Sequence, residues 1–278
     1  MPTPTVHLID ASPYLFRAFF SVPKSIVDGK GKISNAVYGF TMFLAKYIAD
    51  ETPTHIAVAF DRHFNGSFRN DLYPPYKAQR EASPPELEAQ VDPALAVTEA
   101  IGVAAYIDET HEADDLIATI IEQTDAKKVQ YVVVSSDKDL AQLVNARTTL
   151  VDPARDLRFD ADAVVAKFGV LPEQMTDYLG LAGDAVDNIP GVRGVGPKTA
   201  AQLLQQYGSL EGVYENLGRM KNQKLAAKLE EHAEMAKLSK ELATVSRQSP
   251  IRVTLDDLQY RPPSAPAKEI MNAWLGRK

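Results

Sequence analysis

Short apolar runs alternate with stretches of helical periodicity through the first half of the chain, and the alternation fades near residue 152. Runs 6–9, 55–60, 103–107, 129–134 and 148–151 are rich in β-branched and aromatic residues and read as strands. Between them, 12–20, 35–49, 93–102 and 112–123 space their apolar residues as helices do, with Val37, Phe40, Leu44, Tyr47 and Ile48 on one face. Ser12 followed by Pro13 is a helix-start signal, and 112–123 carries its acids in its first turn. A short helix is expected at 139–144. Strand–helix alternation predicts an α/β fold whose mostly parallel sheet is covered by helices on both faces. Helices then predominate, at 161–168, 173–181, 199–207 and, as one long element, 225–243. A tail containing Pro262, Pro263 and Pro266 leads to a last short helix near Trp274. The expected division is 1–171 and 172–278.

Composition narrows the chemistry. At 45% hydrophobic and 24% charged residues the chain is an ordinary globular one, with no apolar run long enough to span a bilayer. The opening MPTPTVHLID lacks the basic and apolar regions of an export signal, so a cytoplasmic place is expected. With no Cys and only five scattered His, thiolate sites and Cys nucleophiles are excluded, and any metal must be held by oxygen. The formal charge of −7 argues against a polyanionic partner unless acids are concentrated in a metal site; neutralising nine of them would move it to +2.

Carboxylates do collect where that requires. Ligands of open parallel sheets sit outside the carboxyl ends of the strands. Asp10 and Asp61 end predicted strands, Asp137 and Asp139 follow another, and Glu112, Asp114 and Asp115 open the helix after a fourth. One acid at a helix start is usually a cap. Seven at one sheet edge need cations, and oxygen ligands alone point to Mg²⁺ or Mn²⁺. The stretch GDAVDNIPGVRGVGPKTAAQLL adds Asp184 and Asp187, which share a face if their turn is helical. Its Gly191, Gly194 and Gly196, then Pro197, Lys198 and Thr199, form a glycine-rich turn before a helix, suited to phosphate. Pro197 between Gly196 and Lys198 breaks the order a Walker A loop needs.

Segment 62–90 lacks a core-forming period. Its Arg62, Arg69, Lys77 and Arg80 suit phosphate, and its Phe64, Phe68, Tyr73 and Tyr76 suit unpaired bases, so it is expected to be mobile until a substrate orders it. A basic flap beside a carboxylate cluster implies a polyanionic substrate.

Taken in order, LIDASPYLFRAF, AVAFD, FRNDLYPPYKAQR, HEADDLIATI, VVSSDKDLAQLV and the glycine-rich stretch resemble the bacterial 5′-nuclease (flap endonuclease) family over roughly residues 5–255. The chain is similar to the N-terminal 5′-3′ exonuclease domain of the DNA polymerase I family. The resemblance implies a PIN-like core, then a helical part with a helix–three-turn–helix motif. It implies two metal ions, Asp10, Asp61, Glu112, Asp114, Asp115 and Asp137 around the first and Asp139, Asp184 and Asp187 around the second. It implies an arch at 62–90 whose Lys77 and Arg80 contact the scissile phosphate and whose Tyr76 stacks on a displaced base. Arg17 falls at a phosphate-steering position, and Gly191 to Thr199 at the duplex-holding loop, with K⁺ on its carbonyls. The expected function is structure-specific hydrolysis of DNA phosphodiesters at 5′ flaps, 5′ overhangs or junctions, in replication and repair beside a DNA polymerase, on the nucleoid. The rivals are a PIN-type ribonuclease, which would lack the glycine-rich element, and a weakly active junction binder, which would lack metal acids. A DxD phosphatase built on Asp137 and Asp139 explains neither arch nor hairpin.

Overall fold

The computed structural model describes residues 4–125 and 128–277; the first three residues of the opening MPTPTVHLID lie outside them. Its strands are β1 (Thr5–Asp10), β2 (His55–Asp61), β3 (Ala104–Asp108), β4 (Gln130–Val134), β5 (Thr148–Asp152) and β6 (Leu157–Phe159). They form one sheet in the order β3-β2-β1-β4-β5-β6, parallel except for β6. The order reverses between β1 and β4, so a crevice opens where their carboxyl ends diverge.

Side-chain alternation along the strands sorts the core into two layers. Ile9, Ile56, Val58, Phe60 and Val134 face α1 (Ser12–Ser21) and α2 (Asn35–Glu51). Val6, Leu8, Ala57, Ala59, Tyr131 and Val133 face the other way, onto the Ala113–Thr124 helix, in one core that continues into the helical second part. In chain order the remaining helices are α3 (Arg69–Leu72), α4 (Pro85–Glu88), α5 (Val91–Ala100), α6 (Ala113–Thr124), α7 (Ala161–Phe168), α8 (Met175–Ala182), α9 (Pro197–Tyr207), α10 (Leu210–Glu215), α11 (Gln223–Glu231), α12 (Ala233–Ala243) and α13 (Ala267–Trp274). The tail runs back across the molecule, and Met271 and Leu275 enter the α1–α2 layer. Gly180 of α8 lets α12 approach closely: a Cβ there would meet the Lys240 Cβ at 3.0 Å.

The structure differs from the sequence pattern in several places. The long helix of 225–243 is two, broken at His232 (φ −109, ψ 19), and its apolar period runs through the break undisturbed. β6 is short, with no buried residue, so it left no alternation to read. Helix α10 was overlooked although Ser209 caps it, accepting from the Gly212 N–H at 3.0 Å. Ser12 does not cap α1; its hydroxyl donates to Asp61 instead.

The largest correction concerns 62–90, which is anchored throughout rather than short of anchors. Phe64 packs edge-on against Phe16 at 4.8 Å, Leu87 is fully buried, and the buried Gln90 side chain accepts from the Ala36 N–H at 2.8 Å. Arg62 pairs with Asp92 and Glu109 rather than facing a phosphate. Arg69 is 2% exposed and binds the chain from inside. Its guanidinium grips both oxygens of Asp115 at 2.8 Å, reaches Glu112 at 3.2 Å, and donates to the carbonyls of Leu242 and Thr244. One side chain thus joins the arch, α6 and the end of α12.

Breaking a buried pair from one side leaves an uncompensated charge. Arg69→Ala is therefore expected to lower the unfolding free energy by about 3–5 kcal/mol, and Arg69→Lys to recover only part, because an ammonium cannot fill a planar fork. Denaturant unfolding measures both, and an alanine variant of unchanged midpoint would refute the clamp.

Candidate active site

The cavity at the switch point has a volume of about 510 Å³, and Asp10, Asp61, Glu112, Asp114, Asp137, Asp139, Asp184 and Asp187 all line it with Lys77, Arg80 and Lys138. Each arrives by a different local rule. Asp10 and Asp61 are the last residues of β1 and β2. Asp10 accepts from the Ser12 N–H at 3.0 Å and the Ser135 hydroxyl at 2.7 Å, bridging the diverging ends of β1 and β4. Asp61 accepts from the Ser12 hydroxyl and from the Ala113 N–H at 2.7 Å. Glu112 is the N-cap of α6, and Asp114 lies in that helix's first turn. Asp137 accepts from the Asp139 N–H at 2.8 Å in the turn after β4. Sequence reasoning takes Ser12 only as a helix start and gives no role to Ser135 or Lys138; their place within two residues of a named aspartate was the signal available.

Asp184 and Asp187 do not share a helix face. They lie in a tight loop closed by paired 2.8 Å backbone hydrogen bonds between Asp184 and Ile189. Gly183 (φ +71) permits it, since a Cβ there would stand 2.5 Å from the Ile189 carbonyl oxygen. The sequence allows a helical turn equally well, and only the φ that Gly183 must adopt decides. Asp108 also ends a strand, but it staples its own loop through Thr110 and His111 and is not in the cavity.

Two expected roles are corrected. Asp115 does not face the cavity: it is fully buried, held by Arg69 and by the N–H groups of Glu112 and Ser246. Its i, i+1 relation to Asp114 points the two carboxylates to different sides of α6. Tyr76 is 3% exposed and offers no free face to a base. Its hydroxyl donates to Glu112 at 3.1 Å and to Asp187 at 3.2 Å.

Three cations of the cavity wall pair with the cluster. Lys77 Nζ stands 2.6 Å from Glu112 and 3.8 Å from Asp187, Arg80 pairs with Asp187, and Lys138 pairs with Asp184 and, at 3.3 Å, with Asp139. Lys77 adopts φ +55 to do so, with its N–H on the Asp187 carbonyl at 2.9 Å. That conformation is costly for a residue with a Cβ and persists where surroundings enforce it. Burial opposes ionisation of Glu112, yet Lys77 and Arg69 together hold its carboxyl below the usual range. At other acids burial outweighs such relief. Burial, with Asp61 alongside, pushes Asp10 up to about 8. Burial, with Asp137 alongside, pushes Asp139 up to about 8. Burial and four neighbouring carboxylates raise Asp114 well above its ordinary value.

The donor set fits hard divalent ions: oxygen ligands, excess negative charge, and one Asp139 oxygen that is buried without a hydrogen-bond partner. Among the described residues, no three His, Asp or Glu side chains yet converge closely enough to hold an ion. Mutual repulsion spreads them, and ammonium groups stand between some of them.

Beyond the cavity, Gly191 (φ +61) begins the glycine-rich turn; a Cβ there would lie 2.3 Å from the Gly183 nitrogen. Its N–H donates to the buried Ser239 hydroxyl at 2.9 Å, and Val192 and Val195 fix the turn from beneath. Gly194 and Lys198 are exposed, Gly196 and Thr199 half-buried. Arg17 is exposed on α1, outside the acid-lined cavity.

Residues 5–169 match the family model of the 5′-3′ exonuclease N-terminal resolvase-like domain, and 170–266 that of the 5′-3′ exonuclease C-terminal SAM fold. The chain belongs to the 5′-3′ exonuclease family. DNA polymerase I of Bacillus caldotenax is 41% identical over 258 residues, covering 91% of this chain and 29% of that protein. DNA polymerase I of Rhizobium leguminosarum is 39% identical over 266 residues, 93% of this chain and 26% of that one. The chain thus spans under a third of these relatives. Among solved structures, a bacteriophage T5 flap endonuclease complexed with DNA and metal ions shares the fold at TM-score 0.73 and 18% identity, covering 86% of this chain and 88% of the other.

An acid whose folded pKa is raised keeps a proton that the unfolded chain releases, so it costs stability as pH climbs from its ordinary value to the raised one. For Asp10 and Asp139 that window runs from 3.8 to about 8. His7, lowered by burial to about 4, is neutral above its model-peptide value of 6.5, and the Glu112 contribution is complete above 4.5. Without divalent ions, the melting temperature is expected to fall between about pH 6.5 and 8 and then level off. Mg²⁺ should raise it, and raise it more at pH 8 than at about pH 6.5, because protons compete for the same oxygens. A melting curve indifferent to both would refute the clustered site.

Proposed function

We propose that the chain is a Mg²⁺- or Mn²⁺-dependent, structure-specific 5′-nuclease that hydrolyses DNA phosphodiesters near single-strand to double-strand junctions. The supporting observation is the eight carboxylates lining one cavity at the sheet's switch point, between the arch and the glycine-rich turn. Catalysis is assigned to 1–171 and duplex gripping to 172–278. Asp10, Asp61, Glu112, Asp114 and Asp137 would hold one ion and Asp139, Asp184 and Asp187 a second. Bound there, such ions supply activation of water and stabilisation of the departing oxygen.

The chain's own groups do the rest. Lys77 and Arg80 stand at the cavity wall, where a scissile phosphate gathers negative charge. Both are tied to carboxylates, so their charge is set in place before substrate arrives. Gly194, Gly196 and Lys198 present exposed or half-exposed backbone and one ammonium to a duplex, with the start of α9 adding its dipole. Loop carbonyls of the same turn are the place for a K⁺ ion, and Arg17 steers the incoming strand. Nothing in these contacts reads bases, which suits recognition by shape. The relatives named DNA polymerase I, and the DNA-bound T5 structure, support a DNA substrate and a DNA polymerase as working partner, on the nucleoid.

A labelled 5′-flap duplex is expected to be cut with Mg²⁺ and left intact with EDTA. Asp139→Asn should abolish cutting while sparing binding. Lys198→Ala should weaken duplex binding and reduce the log–log salt slope by about 0.9, one phosphate contact. A flap equally intact in both buffers would sink the reading, and unaltered binding by Lys198→Ala at every salt concentration would remove the turn from it.

A further inference from the structure

The sheet part and the helical part meet at the acid cluster, and a neutral side chain joins them there. The helical part is tied to itself around α12. Lys240 of α12 pairs with Asp177 of α8 at 2.6 Å, and the Val192 N–H donates to the Leu181 carbonyl at 2.8 Å. Ser239 of α12 accepts from the Gly191 N–H at 2.9 Å. Asp184, Asp187 and the glycine-rich turn are therefore held to α12. Asp139 belongs to the sheet part, where it opens the 3₁₀ turn Asp139–Leu143 after β4. Gln142 of that turn uses its whole amide at the seam. Its nitrogen donates to the Asp139 and Ala243 carbonyls, both at 2.9 Å, and its oxygen accepts from the Val245 N–H at 3.0 Å. We propose that Gln142 is a positioning residue: it keys the Asp139 turn to the helix that holds the glycine-rich turn, and so selects which phosphodiester is cut. The proposal rests on the nuclease reading above.

The path from acid to duplex grip is short. Ala243 and Ser239 stand one turn apart on α12, about 6 Å along its axis. The Asp139 carbonyl and the Gly191 N–H are thus joined through two side chains and a single turn of helix. The bonds of Gln142 are also neutral. Lys77, Arg80 and Lys138 cross the same seam, but onto carboxylates for which an entering ion competes. Gln142 binds only backbone, so loading the cavity leaves it in place. Gln79 bonds the Ala185 and Val186 carbonyls, but from the arch and in solvent. Arg69 reaches the same end of α12 through the Leu242 and Thr244 carbonyls, yet its removal strands buried charge. Replacing Gln142 loosens the seam and leaves every charge where it was. A misplacement of about 1 Å can cost about 100-fold in rate. Slack at Gln142 therefore penalises the principal cut most and its neighbours less.

The test uses the whole chain as wild type, Gln142→Met, Gln142→Glu, Ser239→Ala and Ser209→Ala. Gln142→Met keeps the volume and loses all three bonds, while Gln142→Glu keeps only the one from Val245. Ser239→Ala frees the Gly191 N–H at the far end. Ser209→Ala removes the cap of α10 and controls for lost stability alone. On a labelled 5′-flap duplex with Mg²⁺, the first three should raise the ratio of neighbouring to principal cuts by up to about 100-fold. Ser209→Ala should leave that ratio alone, and duplex binding in EDTA should be unchanged in both Gln142 variants. A second readout needs neither DNA nor ions. The chain has no Cys, so Glu51→Cys and Gln202→Cys, both at exposed positions, place one spin label on α2 and one on α9. The spread of their separation should widen in Gln142→Met. If Gln142→Met does not fold, Gln142→Glu and Ser239→Ala decide both readouts. An unchanged cut pattern in the seam variants, an equal shift in Ser209→Ala, or an unchanged label spread overturns the proposal. A wild type that cuts no flap overturns the nuclease reading beneath it.

Discussion

Like charges crowded at one sheet edge are the constraint around which this molecule is arranged. Parallel β-strands deliver aspartates to their carboxyl ends, and the reversal between β1 and β4 leaves a crevice there for them to line. Burial then makes each charge more expensive, which is why Asp10, Asp114 and Asp139 resist ionisation. Serine hydroxyls from Ser12 and Ser135, and a helix-start N–H from Ala113, are small fixed dipoles turned toward the same acids. They moderate the repulsion without removing it. What remains is an attraction for cations, which the protein partly satisfies itself.

That partial satisfaction explains the arch. A segment so polar would not be expected to order on apolar contacts alone, because backbone ordering costs about 1–2 kcal/mol per residue. Apolar anchors at Phe64 and Leu87 are joined by electrostatic ones: Arg69 inside the Asp115 and Glu112 pair, Lys77 and Arg80 on Glu112 and Asp187, and the Tyr76 hydroxyl shared between those two acids. The left-handed φ of Lys77 is tolerated because its N–H and its ammonium are both bound on the Asp187 side. The arch and the acid cluster therefore stabilise one another. Ions entering the cluster change the terms on which the arch is held.

Most of the scaffold could be read from the chain because strands and helices leave periods in it. The near-continuous apolar runs of β1 and β2, buried on both faces, and the end positions of Asp10 and Asp61, follow from local pattern and known sheet chemistry. Pairings across the sequence leave no period. Arg69 and Asp115 are far apart in the chain, and Arg69 among other basic residues reads as a phosphate contact, Asp115 beside Asp114 as another ligand. Tyr76 reads as an exposed aromatic until the acids it bonds are seen. Lys138 between two aspartates reads as a solvated charge, since nothing local shows that Asp184 folds onto it. The Gly183-to-Ile189 loop was misjudged for a similar reason: an Asp pair three apart suits a helix or a closed turn, and Gly183 at φ +71 selects the turn.

The formal charge of −7 can now be divided by place. Acids inside the cavity are those that internal cations partly neutralise and that ions, on the proposed reading, would neutralise further, so their repulsion of a phosphodiester would fall with loading. Exposed Arg17, Arg193 and Lys198 lie outside it, on α1 and the glycine-rich turn, and keep their charge under either condition. A polyanion approaching the empty protein is drawn at the periphery and opposed at the centre. On the proposed reading, ions filling the cavity would remove most of that central opposition. Net charge therefore misleads as a guide to partners whenever the excess is confined to a site built to be neutralised.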